Sequence, residues 1–299
     1  MLASLGLSSA QIEVLSRLAF RLSEIPGVAA VVLGGSYARG IARPDSDLDI
    51  GIYYSEQALP DIDAVRHCAE LVSTPDQPPT VTGFYAWGPW VNGGAWIRTP
   101  AGKVDLLYRN ANQVRRVLDE GHQGIHHHDF YQQPTFGFTS LIYFAETRCC
   151  LPLFDRQELI SELKSRVEIY PARLQDKVIS DSLWNAEFTF LHAQGFAGRG
   201  DVFNTAGCLA KIAFMLAQAL FALNAEYYFG DKGALEAIDR FPKQPKQFSA
   251  RLQRVLAAPG TTPSQLEGAV CETHKLWQET VNLTEGKYAT RFNPSAQSR

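Results

Sequence analysis

The sequence predicts an α+β first half followed by an all-α second half, and three observations carry that expectation. Apolar runs at residues 28–33 and 47–54 flank a glycine-rich break. Two further strand-like runs, 95–99 and 103–109, are joined by the turn Pro100-Ala101-Gly102. From Asp155 onward the apolar residues recur at helical spacing. The expected domains are residues 1–150 and 151–299, each large enough to bury a core of its own.

Ser8 or Ser9 can cap a first helix over 10–23, where Ile12, Leu15, Leu18, Ala19 and Leu22 recur at helical spacing. Ile25-Pro26-Gly27 ends it and delivers the chain to strand 28–33. Gly34-Gly35-Ser36 then breaks the strand, since glycine lets a backbone turn sharply and approach a ligand closely. Ser36 is expected to cap the turn that follows, leaving N–H groups pointing outward as an anion site. Ten residues on comes Asp47-Leu48-Asp49-Ile50-Gly51-Ile52. In a strand Asp47 and Asp49 share one face and the aliphatic residues the other. Two carboxylates beside a phosphate-cradling turn make a place for Mg²⁺ and a nucleoside triphosphate. Asp45 alternates with them but follows Pro44, and it is assigned to the connecting loop.

A helix beginning at Pro60 places Asp61 and Asp63 in its first turn, where negative charge suits the helix dipole. Residues 74–95 read as a loop or irregular hairpin, and Phe84, Tyr85, Trp87, Trp90 and Trp96 in or beside it can either pack or stack on a ligand. Strand 103–109 places Asp105 inside an apolar run, unusual unless the carboxylate is paired or bound to metal. A short helix over 111–120 leads to a segment with His122, His126, His127 and His128, which lacks zinc-ligand spacing and reads as a solvated loop. Residues 138–155 form an apolar connection.

Helices are expected near 156–168, 171–195, 203–224, 231–239, 244–257 and 263–283, with glycines and prolines at their boundaries. Helix 203–224 is apolar nearly all round and should be the centre of a bundle. Lys211 interrupts it: either its stem is buried with the head in solvent, or it serves a ligand.

The 45% hydrophobic and 20% charged composition is that of a globular domain, and the net charge of −3 comes without a basic run. A general nucleic-acid binder would show a basic stripe, although a local patch could still meet tRNA. Five cysteines without metal spacing are expected to be reduced thiols, and neither a leader nor an apolar run of about 18 residues is evident. The expected location is cytoplasmic, with no membrane partner.

The Gly-Ser turn, the gap of about ten residues and the acid-hydrophobe-acid strand resemble the nucleotidyltransferases of the DNA-polymerase-beta-like superfamily. The positions are Gly35, Ser36, Asp47 and Asp49, and the resemblance covers about the first half of the chain. It implies a small mixed sheet, two Mg²⁺ ions, and transfer of a nucleoside monophosphate from an NTP, with ATP expected, to an acceptor hydroxyl. Asp47, Asp49 and Asp105 would be both metal ligands and catalytic, with Asp105 the third carboxylate of the family. Gly35, Ser36, Arg39 and Lys211 would meet the nucleotide; Arg43, on the same connection, is a weaker case. Glu187 is a second choice for the base, because aminoglycoside-type nucleotidyltransferases can take a carboxylate from a helical domain. A small, aminoglycoside-like acceptor is the first expectation. A tRNA end, a partner protein, or a nucleotide-binding antitoxin-like role are the alternatives.

Overall fold

Ser8 opens the first helix, α1 (Ser9–Ser23), with a capping box: its side chain accepts from Gln11 N–H while the Gln11 side chain accepts from Ser8 N–H. The computed structural model describes residues 5–43 and 45–292. They form two units, Met1–Glu120 with His128–Ile169, and Gly121–His127 with Tyr170–Arg299.

In the first unit α1 is followed by β1 (Val28–Leu33), the single turn α2 (Gly35–Ala38), β2 (Leu48–Tyr54) and α3 (Ile62–Glu70). Next come β3 (Thr80–Val81), β4 (Gly94–Thr99), β5 (Gly102–Asn110) and α4 (Ala111–His122). The unit ends with a two-strand ribbon, β6 (His128–Asp129) and β7 (Phe138–Thr139), then α5 (Leu141–Cys149), β8 (Leu151–Asp155) and α6 (Leu159–Ser165). Six strands make one sheet in the order β3-β4-β5-β2-β1-β8, in which β2 and β5 run parallel and every other neighbour is antiparallel. The small mixed sheet implied by the resemblance is therefore present.

One face of the sheet carries the core. Leu33, Ile50, Ile52, Val104 and Leu106 are fully buried against Leu15, Leu18 and Leu22 of α1 and Val65 of α3. The expected division at residue 150 differs from this one by a strand and a helix. Leu151–Asp155 pairs with β1 and covers what would otherwise be its open edge, and Lys164 of α6 donates to the carbonyls of Arg148 and Cys150.

The second unit is helical: α7 (Ala172–Gly198), α8 (Val202–Leu223), α9 (Ala234–Ile238), α10 (Phe248–Ala257) and α11 (Pro263–Asn282). Helix α8 is long and apolar enough to cross a membrane, but 67% of that window is buried inside the fold. Leu209, Ile212, Leu216 and Leu220 supply its core stripe. Trp277 of α11 locks onto α7, donating its indole N–H to the Leu183 carbonyl at 3.1 Å. An α+β unit followed by a helical one is the architecture the sequence predicts.

Candidate active site

Strand register brings the acids together. Parallel pairing sets Asp49 opposite Asp105, and the β4–β5 hairpin sets Asp105 opposite Trp96. Directly opposed residues share a face, so these three form a row on the face away from Leu48, Ile50, Val104 and Leu106. Further along that face the sheet is closed by α5. Arg109, 5% exposed, donates to both oxygens of Glu146 at 2.8 and 2.7 Å, beside the buried Tyr53. The Asp49–Asp105 end is only half-buried.

Asp47 lies one residue before β2, on its approach, whereas the sequence places it inside the strand. Its Oδ1 is 4.0 Å from Nζ of Lys103, the strand neighbour of Asp105. Asp45 is exposed in the preceding turn, as assigned, and Ser46 Oγ accepts the Arg43 N–H at 2.8 Å.

The glycine turn is built directly against Asp49. Gly34 N–H donates to the Asp49 carbonyl at 2.8 Å. Gly35 has φ +58, and a Cβ there would fall 1.7 Å from Asp49 Oδ2. Glycine is required twice over, for the left-handed conformation and for the approach. Ser36 is not the cap expected from the sequence: Gly34 occupies the N-cap without a side-chain bond, which places Ser36 inside the turn. Tyr37 anchors this turn to α1 by accepting from Gln11 Nε2 at 2.9 Å.

Burial first, and then the charge of Asp47, push the Asp105 carboxyl above its ordinary value, while Lys103 opposes them. Carboxylates crowded in this way gain from a cation. The set is oxygen-only, and Mg²⁺ is held through one or two carboxylates together with waters and substrate phosphates. The residues therefore fit that ion, although among the described residues no three His, Cys, Asp or Glu side chains already converge on one ion position.

The other expected residues fare differently. Arg39 is half-buried at the end of α2, and Arg43 is exposed. Lys211 is exposed on α8, so its head is in solvent and needs no buried partner. Glu187 is 5% exposed, and the chain itself uses its oxygens: Oε1 accepts the N–H of Arg291 at 2.9 Å and of Phe292 at 2.6 Å, and Oε2 accepts the Tyr288 hydroxyl. A carboxylate so occupied clamps residues 288–292.

Lys103 is absent from the residues expected from sequence, and Trp96 is there only one aromatic among several. The turn at 100–102 pairs Thr99 with Gly102, and counting back along that hairpin puts 96 opposite 105.

Residues 15–80 match the family model described as the nucleotidyltransferase domain. No curated protein matches the chain. Among solved structures, a nucleotidyltransferase-like protein from Exiguobacterium sibiricum 255-15 is 11% identical, with 91% of this chain and 77% of that one covered at TM-score 0.46. An aminoglycoside 6-adenyltransferase from Bacillus subtilis is 10% identical, with 96% and 93% covered at TM-score 0.35. At TM-scores below 0.5 neither likeness assigns an activity or a substrate to this chain. The segment matched by the nucleotidyltransferase-domain model contains Gly35, Ser36, Asp47 and Asp49.

Proposed function

We propose that the protein transfers a nucleoside monophosphate from an NTP, ATP being the expected one, to a hydroxyl of a small molecule with release of pyrophosphate. The observation that carries this is the register pairing of Asp49 with Asp105, with the Gly35 backbone pressed against Asp49. When bound, two Mg²⁺ ions stabilise charge on the attacking and leaving oxygens of the in-line displacement. Asp47, Asp49 and Asp105 would hold them.

The chain's own groups do the rest. Gly35 and Ser36 offer N–H and hydroxyl donors to phosphate oxygens. Asp105, the carboxylate that burial biases toward its protonated form, accepts the proton of the acceptor hydroxyl. Arg39, at the end of α2, adds positive charge toward the phosphates. The test is Asp105→Asn. Equilibrium dialysis should show NTP still bound while transfer of labelled NMP is lost; transfer at the wild-type rate removes Asp105 from the chemistry.

A further inference from the structure

Four aromatics in the segment before β4 are accounted for by packing or hydrogen bonds. Phe84 lies between Tyr54 and Tyr108, with centroids at 4.5 and 4.9 Å, and Trp90 between Phe138 and Tyr143 at 5.5 and 6.2 Å. Tyr85 accepts from Asn110 through its hydroxyl. Trp87 is fixed by its backbone, which donates to the Asn92 carbonyl at 2.8 Å and accepts from Gln132 Nε2 at 2.9 Å. Trp96 is not absorbed. It remains 53% exposed, with its ring stacked on Trp87 at 4.7 Å and 21°. An indole so exposed adds little to the core, and its rigid partner holds it ready for a ligand.

Its position says which ligand. The sheet order places the glycine turn after β1, Asp49 on β2, Asp105 on β5 and Trp96 on β4. Neighbouring strands are about 4.8 Å apart, so Trp96 stands one strand beyond the proposed base and about 10 Å from Asp49 across two strands. On the nucleotidyl-transfer reading the triphosphate meets the glycine turn after β1, on the far side of Asp49 from Trp96. The Trp96 end is therefore the acceptor end. Two residues along, Arg98 and Lys103 stand directly opposite each other, exposed on the same face as Trp96 and Asp105. Lys103 also faces Asp47 at 4.0 Å, so it is the Arg98 charge that favours an anionic group on the acceptor.

We infer that the Trp96–Trp87 pair is an acceptor platform, and that the acceptor is a small molecule with a flat ring beside its hydroxyl and a negatively charged group. This rests on the nucleotidyl-transfer reading of the same row. The ring lies on the indole of Trp96, its hydroxyl is directed to Asp105, and its anionic group meets Arg98.

The experiment measures binding of three probes by calorimetry: p-nitrophenyl β-D-glucuronide, its neutral glucoside counterpart, and kanamycin as a polycation. The wild type should bind the glucuronide tightest of the three. Base-type stacking sets the expected loss in Trp96→Ala at roughly 5- to 150-fold, with Trp96→Phe retaining most of the affinity and Arg98→Ala erasing the preference for the glucuronide over the glucoside. Folding should be intact in each, since both positions are exposed, and NTP binding should be unchanged. Equal glucuronide binding by Trp96→Ala, no glucuronide binding by the wild type, or tighter binding of kanamycin each overturns the inference. Failure of the underlying reading looks different: the wild type then fails to bind NTP, whatever happens at Trp96.

Discussion

Replacing Gly35 by alanine separates two costs that the fold allows to be measured independently. The left-handed φ of +58 costs an L-residue about 1–2 kcal/mol, which for a domain of this size lowers Tm by about 2–4 °C per kcal/mol. The second cost is local. A Cβ at 1.7 Å from Asp49 Oδ2 must drive the carboxylate away by about as much again to reach the 3.4 Å of ordinary contact. A displacement of that size at a group meant to hold a reacting centre is expected to lower kcat by about 100-fold. Gly40→Ala is the control, because Gly40 has φ +69 but nothing within 4 Å of its would-be Cβ. Thermal unfolding and NTP-to-acceptor transfer are measured on both variants. Both should lose a similar few degrees, and only Gly35→Ala should lose turnover. Equal activity in the two would refute the claim that Gly35 exists to let the backbone meet Asp49.

The geometry sets three further expected outcomes. Glu187→Leu leaves the Tyr288 hydroxyl and two N–H groups without their acceptor, at about 1–3 kcal/mol for each group left buried; proteolysis or hydrogen exchange should report release of residues 288–292, while Glu187→Gln keeps kcat. His274 is held below its ordinary 6.5 by burial, with Glu187 opposing. Its folded state binds fewer protons than the unfolded one as pH falls through 6.5, so stability declines below that pH, and His274→Phe should flatten that part of a Tm-against-pH curve. Lys211→Ala should shift stability by no more than about 0.5 kcal/mol, as for an exposed residue; a larger loss of Tm would assign its side chain to packing instead.

Much of the first unit was legible because its signals are local. Val28–Leu33 is a continuous apolar run and emerges as β1, and the glycine break emerges as a turn. The apolar residues flanking Asp105 implied a strand, and its register with β2 explains why a carboxylate is tolerated there. What was not legible depends on pairing between distant segments. Nothing in residues 151–155 says that they pair with β1 and extend the first unit. Glu187 sits where helical periodicity could equally place it at a margin, and only the return of residues 288–292 shows it clamped. For Lys211 the apolar neighbours left open whether its head reaches solvent, and only the fold shows it exposed, because one position on a helix can face solvent while those on either side do not. Trp96 was the opposite case: the hairpin turn already implied its place opposite Asp105.

The central claim is that Asp49 and Asp105 belong to one nucleotidyl-transfer site. The most direct measurement incubates wild type and Asp49→Asn with Mg²⁺, each α-labelled NTP, and hydroxyl acceptors that include the aryl glucuronide, an aminoglycoside panel and total tRNA. Label should pass to a small molecule with wild type alone, while circular dichroism shows Asp49→Asn folded, since Asp49 faces away from the core. Transfer by Asp49→Asn at the wild-type rate would contradict the account.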